Sequence, residues 1–179
     1  MRKIIATPIV AGLIGMAALA APLAAHAADT PTTFQVNGGL LSITVPTSSV
    51  ALNGVTVGTT NPSGQLGAVT VDDERGLFSG SWTATAQSTD FTTGTGDSTV
   101  TIAASNVKYT PGSTSGAVGT ANYTPGTAGV AIDTPQTAYS AASVVGSAGV
   151  SWDPTITVNL PAHGQVAGTY SGTITHSIA

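Results

Sequence analysis

The sequence predicts an all-β protein: an antiparallel two-sheet β-sandwich of the Ig-like, Greek-key type that follows an N-terminal signal peptide. Three observations support this prediction. Apolar residues alternate with hydroxyl-bearing residues at period two, as in strands with one hydrated face. After the N-terminal segment the apolar spacing of a helix is missing, and clusters of Gly, Pro and Asn separate the alternating runs as turns do.

The N-terminal segment has the parts of an export signal. Arg2 and Lys3 give it a positive start, residues 4–23 form an almost uncharged apolar run, and Ala25-His26-Ala27 is a small-x-small cleavage site. A membrane anchor is the alternative, because the run is nearly long enough to span a bilayer. Cleavage after Ala27 is favoured, so residues 1–27 are predicted as the signal peptide and residues 28–179 as a single domain.

The charge of the predicted domain is strongly unbalanced. Only Arg75 and Lys108 remain after cleavage, against eight carboxylates in the whole sequence. So few cations cannot neutralise phosphates, which argues against nucleic acid and against anionic membranes as partners. The sequence has no cysteine, which excludes a disulfide framework and a lipid-modified N-terminal cysteine.

Strands are predicted wherever the alternation is regular. The last and longest such run, residues 170–178, places its apolar residues and His176 on one face and Thr and Ser on the other. The apolar positions of the earlier runs are Leu41, Ile43 and Val45; Trp82, Ala84 and Ala86; Val100 and Ile102; and Ile156, Val158 and Leu160. Solvent faces of Thr and Ser are typical of antiparallel sheets.

Turns are predicted at residues 53–54, 61–64, 94–97 and 161–164, which are rich in Gly, Pro and Asn. A Tyr-Thr-Pro-Gly tetrapeptide occurs twice, at residues 109–112 and 123–126. Because Pro and Gly suit the two central positions of a type II turn, both copies are interpreted as turns at one end of the sandwich.

Catalytic signatures are absent from the sequence. It contains neither a Gly-x-Ser-x-Gly elbow, nor a His-Glu-x-x-His metal motif, nor a phosphate-binding loop ending in Lys. After cleavage only His163 and His176 remain; His163 is interpreted as a solvated loop residue and His176 as a hydrogen-bonded core or rim residue. The chain is therefore predicted not to be an enzyme and to carry no cofactor.

Consecutive carboxylates occur at Asp72, Asp73 and Glu74. Neighbours along a strand point to opposite faces, so these three do not converge on one ion unless the chain turns, and the spaced pattern of a calcium loop is missing. No metal site is predicted. A solvated corner with an Asp to Arg75 ion pair is favoured over a calcium site.

Aromatic residues are the remaining candidates for binding, because an exposed ring stacks on the apolar face of a sugar. Trp82 shares its strand face with small Ala residues, which favours a core position; for Trp152, at a strand entrance, core and surface are both open. Tyr170 suits a structural tyrosine whose hydroxyl bonds to the preceding loop. The candidate binding residues are Trp82, Trp152, Tyr170 and His176.

Two segments resemble the WxL-domain surface proteins of Gram-positive bacteria. Residues 71–76 (Val-Asp-Asp-Glu-Arg-Gly) lead to Trp82-Thr83-Ala84, and residues 167–177 contain a Gly-x-Tyr strand that continues through His176-Ser177-Ile178. In the family these positions carry two Trp-x-Leu motifs; here the first lacks the Leu and the second the Trp. The resemblance implies non-covalent attachment to the cell wall through peptidoglycan.

The predicted function is that of an exported, non-catalytic cell-surface protein. Its predicted location is extracellular and associated with the cell wall, and its predicted partners are cell-wall glycan (peptidoglycan) or other surface proteins. The alternative is a structural subunit of a surface fibre or coat, in which sheet edges pair between copies.

Overall fold

The computed structural model describes residues 30–58, 61–94 and 99–179. Contacts divide the chain into two units, Met1–Gln35 and Val36–Ala179. In the first unit the described residues, 30–35, have no regular secondary structure, and the predicted signal peptide lies outside the described residues. Among the described residues, no helix combines the length and the hydropathy needed to span a membrane.

The second unit consists of antiparallel strands, which confirms the predicted all-β class, and the only helical element among its described residues is a 3-10 turn at Ala104–Asn106. Its described strands are β1 Leu41–Thr44, β2 Ser63–Gln65, β3 Val69–Ser88, β4 Phe91–Thr93, β5 Val100–Ile102, β6 Val107–Thr110, β7 Thr114–Pro125, β8 Val130–Ala131, β9 Gln136–Trp152, β10 Thr155–Val158 and β11 Ile174–Ile178.

The largest sheet is built around β3. On one edge β3 pairs with β9, which pairs in turn with β7. The other edge of β3 is shared by two short strands: β1 pairs with its first part, Leu41 opposite Asp73, and β11 with its last part, Ile178 opposite Ala84. The predicted Trp82 and His176 strands are therefore neighbours in one sheet.

A second sheet has the order β2-β10-β6-β8, and β4 and β5 form a separate pair. One hydrophobic core contains inward-facing residues of both larger sheets, such as Val71 and Trp82 from β3 and Tyr109 and Ile156 from β6 and β10. The alternation seen in the sequence explains this core, because every second residue of these strands points inward. In β10, Ile156 and Val158 are buried between half-buried threonines.

Most of the predicted strands lie where the alternation placed them, but one predicted strand was too long and two predicted turns were wrong. The run at residues 170–178 is a strand only over β11, because Tyr170 and Ser171 belong to a loop that forms one bridge, between Ser171 and Thr92. The turn predicted at residues 61–64 overlaps β2, since Gly64 pairs with Ile156. Of the turn predicted at residues 94–97, only Gly94 is described.

The two Tyr-Thr-Pro-Gly copies differ in conformation. Gly112 has φ +78°, the positive value that the second central position of a type II turn requires. Gly126 has no positive φ, so the turn predicted there was wrong. Glycine is needed at position 126 for another reason: a Cβ atom would collide with the backbone carbonyl of Thr137 on β9.

Candidate functional site

A groove lies between two segments that have no regular secondary structure. Residues 49–57 border one side and residues 165–172 the other, and Phe91, Ile102, Val158 and Leu160 also line it. We call it the loop groove. Its volume, about 970 Å³, lies at the upper end of the range of small-molecule sites.

Hydrogen bonds hold the two borders together. Gln165 connects them directly, because its Oε1 accepts from the backbone N–H of Gly58 at 3.2 Å. Next to the groove, the Asn61 side chain donates to Asn159 Oδ1 at 3.1 Å and accepts from the Leu160 N–H at 2.9 Å. The amide side chains of Gln165 and Asn61 therefore connect the segments that border the groove.

Tyr170 organises the second border. Its hydroxyl donates to the Val166 carbonyl at 3.0 Å and accepts from the Val166 N–H at 3.2 Å, which confirms the predicted bond to the preceding loop. Two residues later the chain passes against Phe91, and a Cβ on Gly172 would lie 2.6 Å from that ring. The half-buried Tyr170 lines the groove, while its polar tip is occupied by the loop.

Among residues 30–58, 61–94 and 99–179, the lining of the loop groove is uncharged and contains no Asp, Glu, Lys, Arg or His. Val57 and Val166 expose 53% and 52% of their surface, and Tyr170 and Phe91 contribute aromatic rings. Polar groups come from Asn, Gln, Ser and Thr. Such a lining suits an uncharged ligand that has both apolar faces and hydrogen-bonding groups, which describes a neutral sugar chain.

The two tryptophans do not line this groove. Trp82 is 3% exposed and lies 6.2 Å from the Tyr123 ring, whereas Trp152 is fully buried and stacks on Tyr139 at 4.6 Å between centroids. A ring with no accessible face cannot stack on a sugar. We therefore correct the sequence-based candidates: Trp82 and Trp152 are core residues in this structure, and of the four only Tyr170 borders the groove.

His176 belongs to a buried hydrogen-bond network. The Trp152 indole N–H donates to the Tyr109 hydroxyl at 3.0 Å, and the Tyr109 hydroxyl is 3.1 Å from His176 Nε2. An indole N–H only donates, so the Tyr109 oxygen accepts from Trp152. Either partner can donate between Tyr109 and His176, because a hydroxyl oxygen accepts up to two hydrogen bonds and a neutral imidazole has two tautomers. His176 is thus a hydrogen-bonded histidine, as the sequence predicted.

Burial shifts the titration of this network. Desolvation lowers the pKa of His176 from 6.5 to about 4, and desolvation also raises the pKa of Tyr109 above its ordinary value. Both groups are therefore neutral near pH 7. A neutral His176 that is hydrogen-bonded to Tyr109 connects β11 to the core.

The carboxylate run alternates as a strand should: Asp72 and Glu74 are exposed, and Asp73 is 1% exposed. The Arg75 guanidinium binds both oxygens of Asp73, at 2.9 and 2.8 Å, and hydrogen bonding from that side chain is the main cause that lowers the pKa of Asp73. The predicted Asp to Arg75 pair is confirmed. The predicted solvated corner was wrong, because Asp73 is buried within β3.

Comparisons with known proteins found no match: no protein-family model, no curated protein and no solved structure resembles this chain closely enough to count. The loop groove was also missed by sequence reasoning. Its borders are irregular segments far apart in sequence, and neither has a periodic pattern. The only signal in the sequence is the Gly-x-Tyr-x-Gly spacing at residues 168–172, which forms part of the second border.

Proposed function

We propose that this chain is an exported, non-catalytic cell-surface protein that associates with the cell wall by binding peptidoglycan glycan in the loop groove. In this proposal residues 1–27 are a signal peptide, residues 28–179 are an Ig-like, Greek-key sandwich, and the protein acts outside the cell. The observation that carries it is the uncharged groove lined by Tyr170 and Phe91.

The chemistry of a glycan strand fits this lining. Sugar rings present C–H faces that pack on Tyr, Phe and Val side chains, and N-acetyl and hydroxyl groups that bond to Asn, Thr and backbone amides. A negatively charged protein is repelled by anionic wall polymers such as teichoic acids, so the neutral glycan is the better ligand.

The resemblance to WxL-domain proteins agrees with the arrangement of the strands. The two segments that carry it lie side by side, since β11 pairs with the last part of β3 and Ile178 is opposite Ala84. The segments at both signature positions therefore meet in one sheet. Wall association follows from the resemblance as part of the proposal.

Two groups that could act in catalysis are engaged in other contacts. His176 Nε2 is hydrogen-bonded to Tyr109, and Asp73 is bound by Arg75. His163 lies exposed in the loop at residues 161–164, and it does not line the groove. These placements support a binding protein over a hydrolase.

Sedimentation with purified cell-wall sacculi tests the proposal. The chain without residues 1–27 should pellet with sacculi, and Val57→Glu, which places a carboxylate in the neutral groove, should weaken retention about tenfold. Val118→Glu is the matched control, because Val118 is 66% exposed and lies outside the groove. Equal retention of both variants would contradict a groove site, and release of reducing sugar would contradict a non-catalytic protein.

A fibre or coat subunit is the second candidate, and β7 is the observation that favours it. β7 is a 12-residue edge strand without charged residues, and β9 is its only partner among the described strands. One observation argues against a fibre subunit. Three register shifts interrupt the pairing of β7 with β9, and such irregularities protect sheet edges from further pairing. Light scattering that shows ordered growth with concentration, without sacculi, would favour the fibre.

A further inference from the structure

A second surface lies on the middle of the three longest strands. Phe78 is 97% exposed, Val118 is 66% and Val145 is 47%. We call these three residues the outer patch. None of them lines the loop groove.

The strand register brings these residues together. Leu77 pairs with Gly146 and Gly80 with Val144, so Phe78 lies in a bulge opposite Val145. Val145 pairs in turn with Thr120 on β7, two residues from Val118. The outer patch therefore crosses β3, β9 and β7. Clustered apolar residues exposed on a sheet are typical of interaction surfaces.

Carboxylates flank this apolar surface. Asp72 and Val118 meet across Gly149, since a Cβ there would lie 2.9 Å from Asp72 Oδ1 and 3.3 Å from a Val118 methyl. Glu74 is also exposed, and neither carboxylate joins the Arg75 to Asp73 pair, the only ion pair among residues 30–58, 61–94 and 99–179.

A second copy of this chain complements such a surface poorly. Beyond residue 29 its only cations are Arg75, which is bound to Asp73, and Lys108 on β6. Apposing two outer patches would place Asp72 and Glu74 of one copy against a surface that offers no unpaired cation, so the two copies lack charge complementarity. Charge complementarity requires a partner that supplies cations.

We propose that the outer patch docks a segment of another protein in which Lys or Arg residues alternate with apolar residues. The apolar side chains cover Phe78 and Val118, and the cations pair with Asp72 and Glu74. The surface is separate from the loop groove, so docking and glycan binding can occur together. This inference does not depend on the proposed wall association.

The test uses a defined probe, the peptide Lys-Leu-Lys-Phe-Lys-Val-Lys with blocked termini, titrated into the ¹⁵N-labelled chain and followed by NMR. We expect amide shifts along the middle of β3, β9 and β7. Phe78→Ser should weaken binding about tenfold, because an exposed aromatic anchor dominates such contacts. Joint replacement Asp72→Asn with Glu74→Gln should weaken binding and remove its salt dependence.

The matched control is Phe34→Ser, since Phe34 is 89% exposed and belongs to neither the outer patch nor the lining of the loop groove, and this variant should bind the peptide as the natural chain does. Equal binding of a peptide with Glu in place of Lys would overturn the proposal, as would unchanged affinity of Phe78→Ser. Dimerisation of the natural chain that Phe78→Ser abolishes would also overturn it and identify a second copy as the occupant. Failure of sacculi binding would leave these results unaffected.

Discussion

At the scale of the residue, the Tyr109 hydroxyl is the group that connects the buried polar side chains of the two larger sheets. Tyr109 lies on β6, while its partners Trp152 and His176 lie on β9 and β11. Buried polar groups stabilise a core only when each has a hydrogen-bond partner. When one partner is removed, the other stays buried without a hydrogen bond, and its desolvation free energy is no longer offset.

Tyr109→Phe should therefore destabilise the protein although it preserves the ring. Loss of the hydroxyl leaves the Trp152 N–H and His176 Nε2 without their partner, and we expect the free energy of unfolding in urea to fall by about 1–3 kcal/mol. Tyr170→Phe is the control, because its hydroxyl bonds to an exposed loop and its loss should cost under about 1 kcal/mol. Equal losses for both variants would contradict the buried network.

The low pKa of His176 predicts a loss of stability in mild acid. The folded protein holds His176 neutral down to about pH 4, whereas the unfolded chain binds the proton below about 6.5. The unfolded state thus binds more protons in this window, and the free energy of unfolding should fall with pH by up to about 1.4 kcal/mol per unit. Urea titrations at several pH values measure this slope.

His176→Gln is the control for that slope, since glutamine does not titrate. Its stability should change less between pH 6.5 and 4 than that of the natural chain. The pKa of Asp73 is lowered from 3.8, so protonation of Asp73 reduces the stability of the fold only below this pH window. Parallel pH profiles for the natural chain and the variant would contradict the assignment to His176.

At the scale of the element, regular alternation predicted β1, β5, β10, β11 and the part of β3 around Trp82, whereas the start of β3, β6 and β9 were missed. β10 was predicted because Ile156 and Val158 alternate with polar residues. β9 was not predicted, although it is longer, because Ser143 and Gly146 have positive φ and interrupt the alternation of buried and exposed residues. β9 is also rich in Ala and Gly, which give a weak apolar pattern. Bulges of this kind depend on pairing with β3, which a single strand does not encode.

The backbone of Gly126 lies against β9, whereas Gly54 has open space around it, so alanine at these two positions should affect stability differently. Gly126→Ala should destabilise the protein by about 2 kcal/mol or more, because the new methyl group collides with the Thr137 carbonyl on β9. Gly54→Ala has open space around it and should change stability by under about 1 kcal/mol. Thermal or urea unfolding measures both, and similar effects would show that β7 and β9 are not held as described.

At the scale of the molecule, a rigid sheet core presents two surfaces of different chemistry. The core was predictable, because burial follows from pattern; the loop groove was not, because it depends on where two irregular segments come together. Trp82 and Trp152 illustrate the limit: the sequence identifies large rings, and only packing decides whether a face stays open. Both rings are buried, so binding is left to Tyr170, Phe91 and their neighbours.

The most direct test is NMR titration of the chain without residues 1–27 with a short soluble glycan prepared from peptidoglycan. Binding in the loop groove predicts amide shifts in residues 49–57 and 165–172 and their loss in Tyr170→Ala, with the outer patch unchanged. A glycan that shifts no amide of the groove, or shifts only residues of the outer patch, would contradict the account.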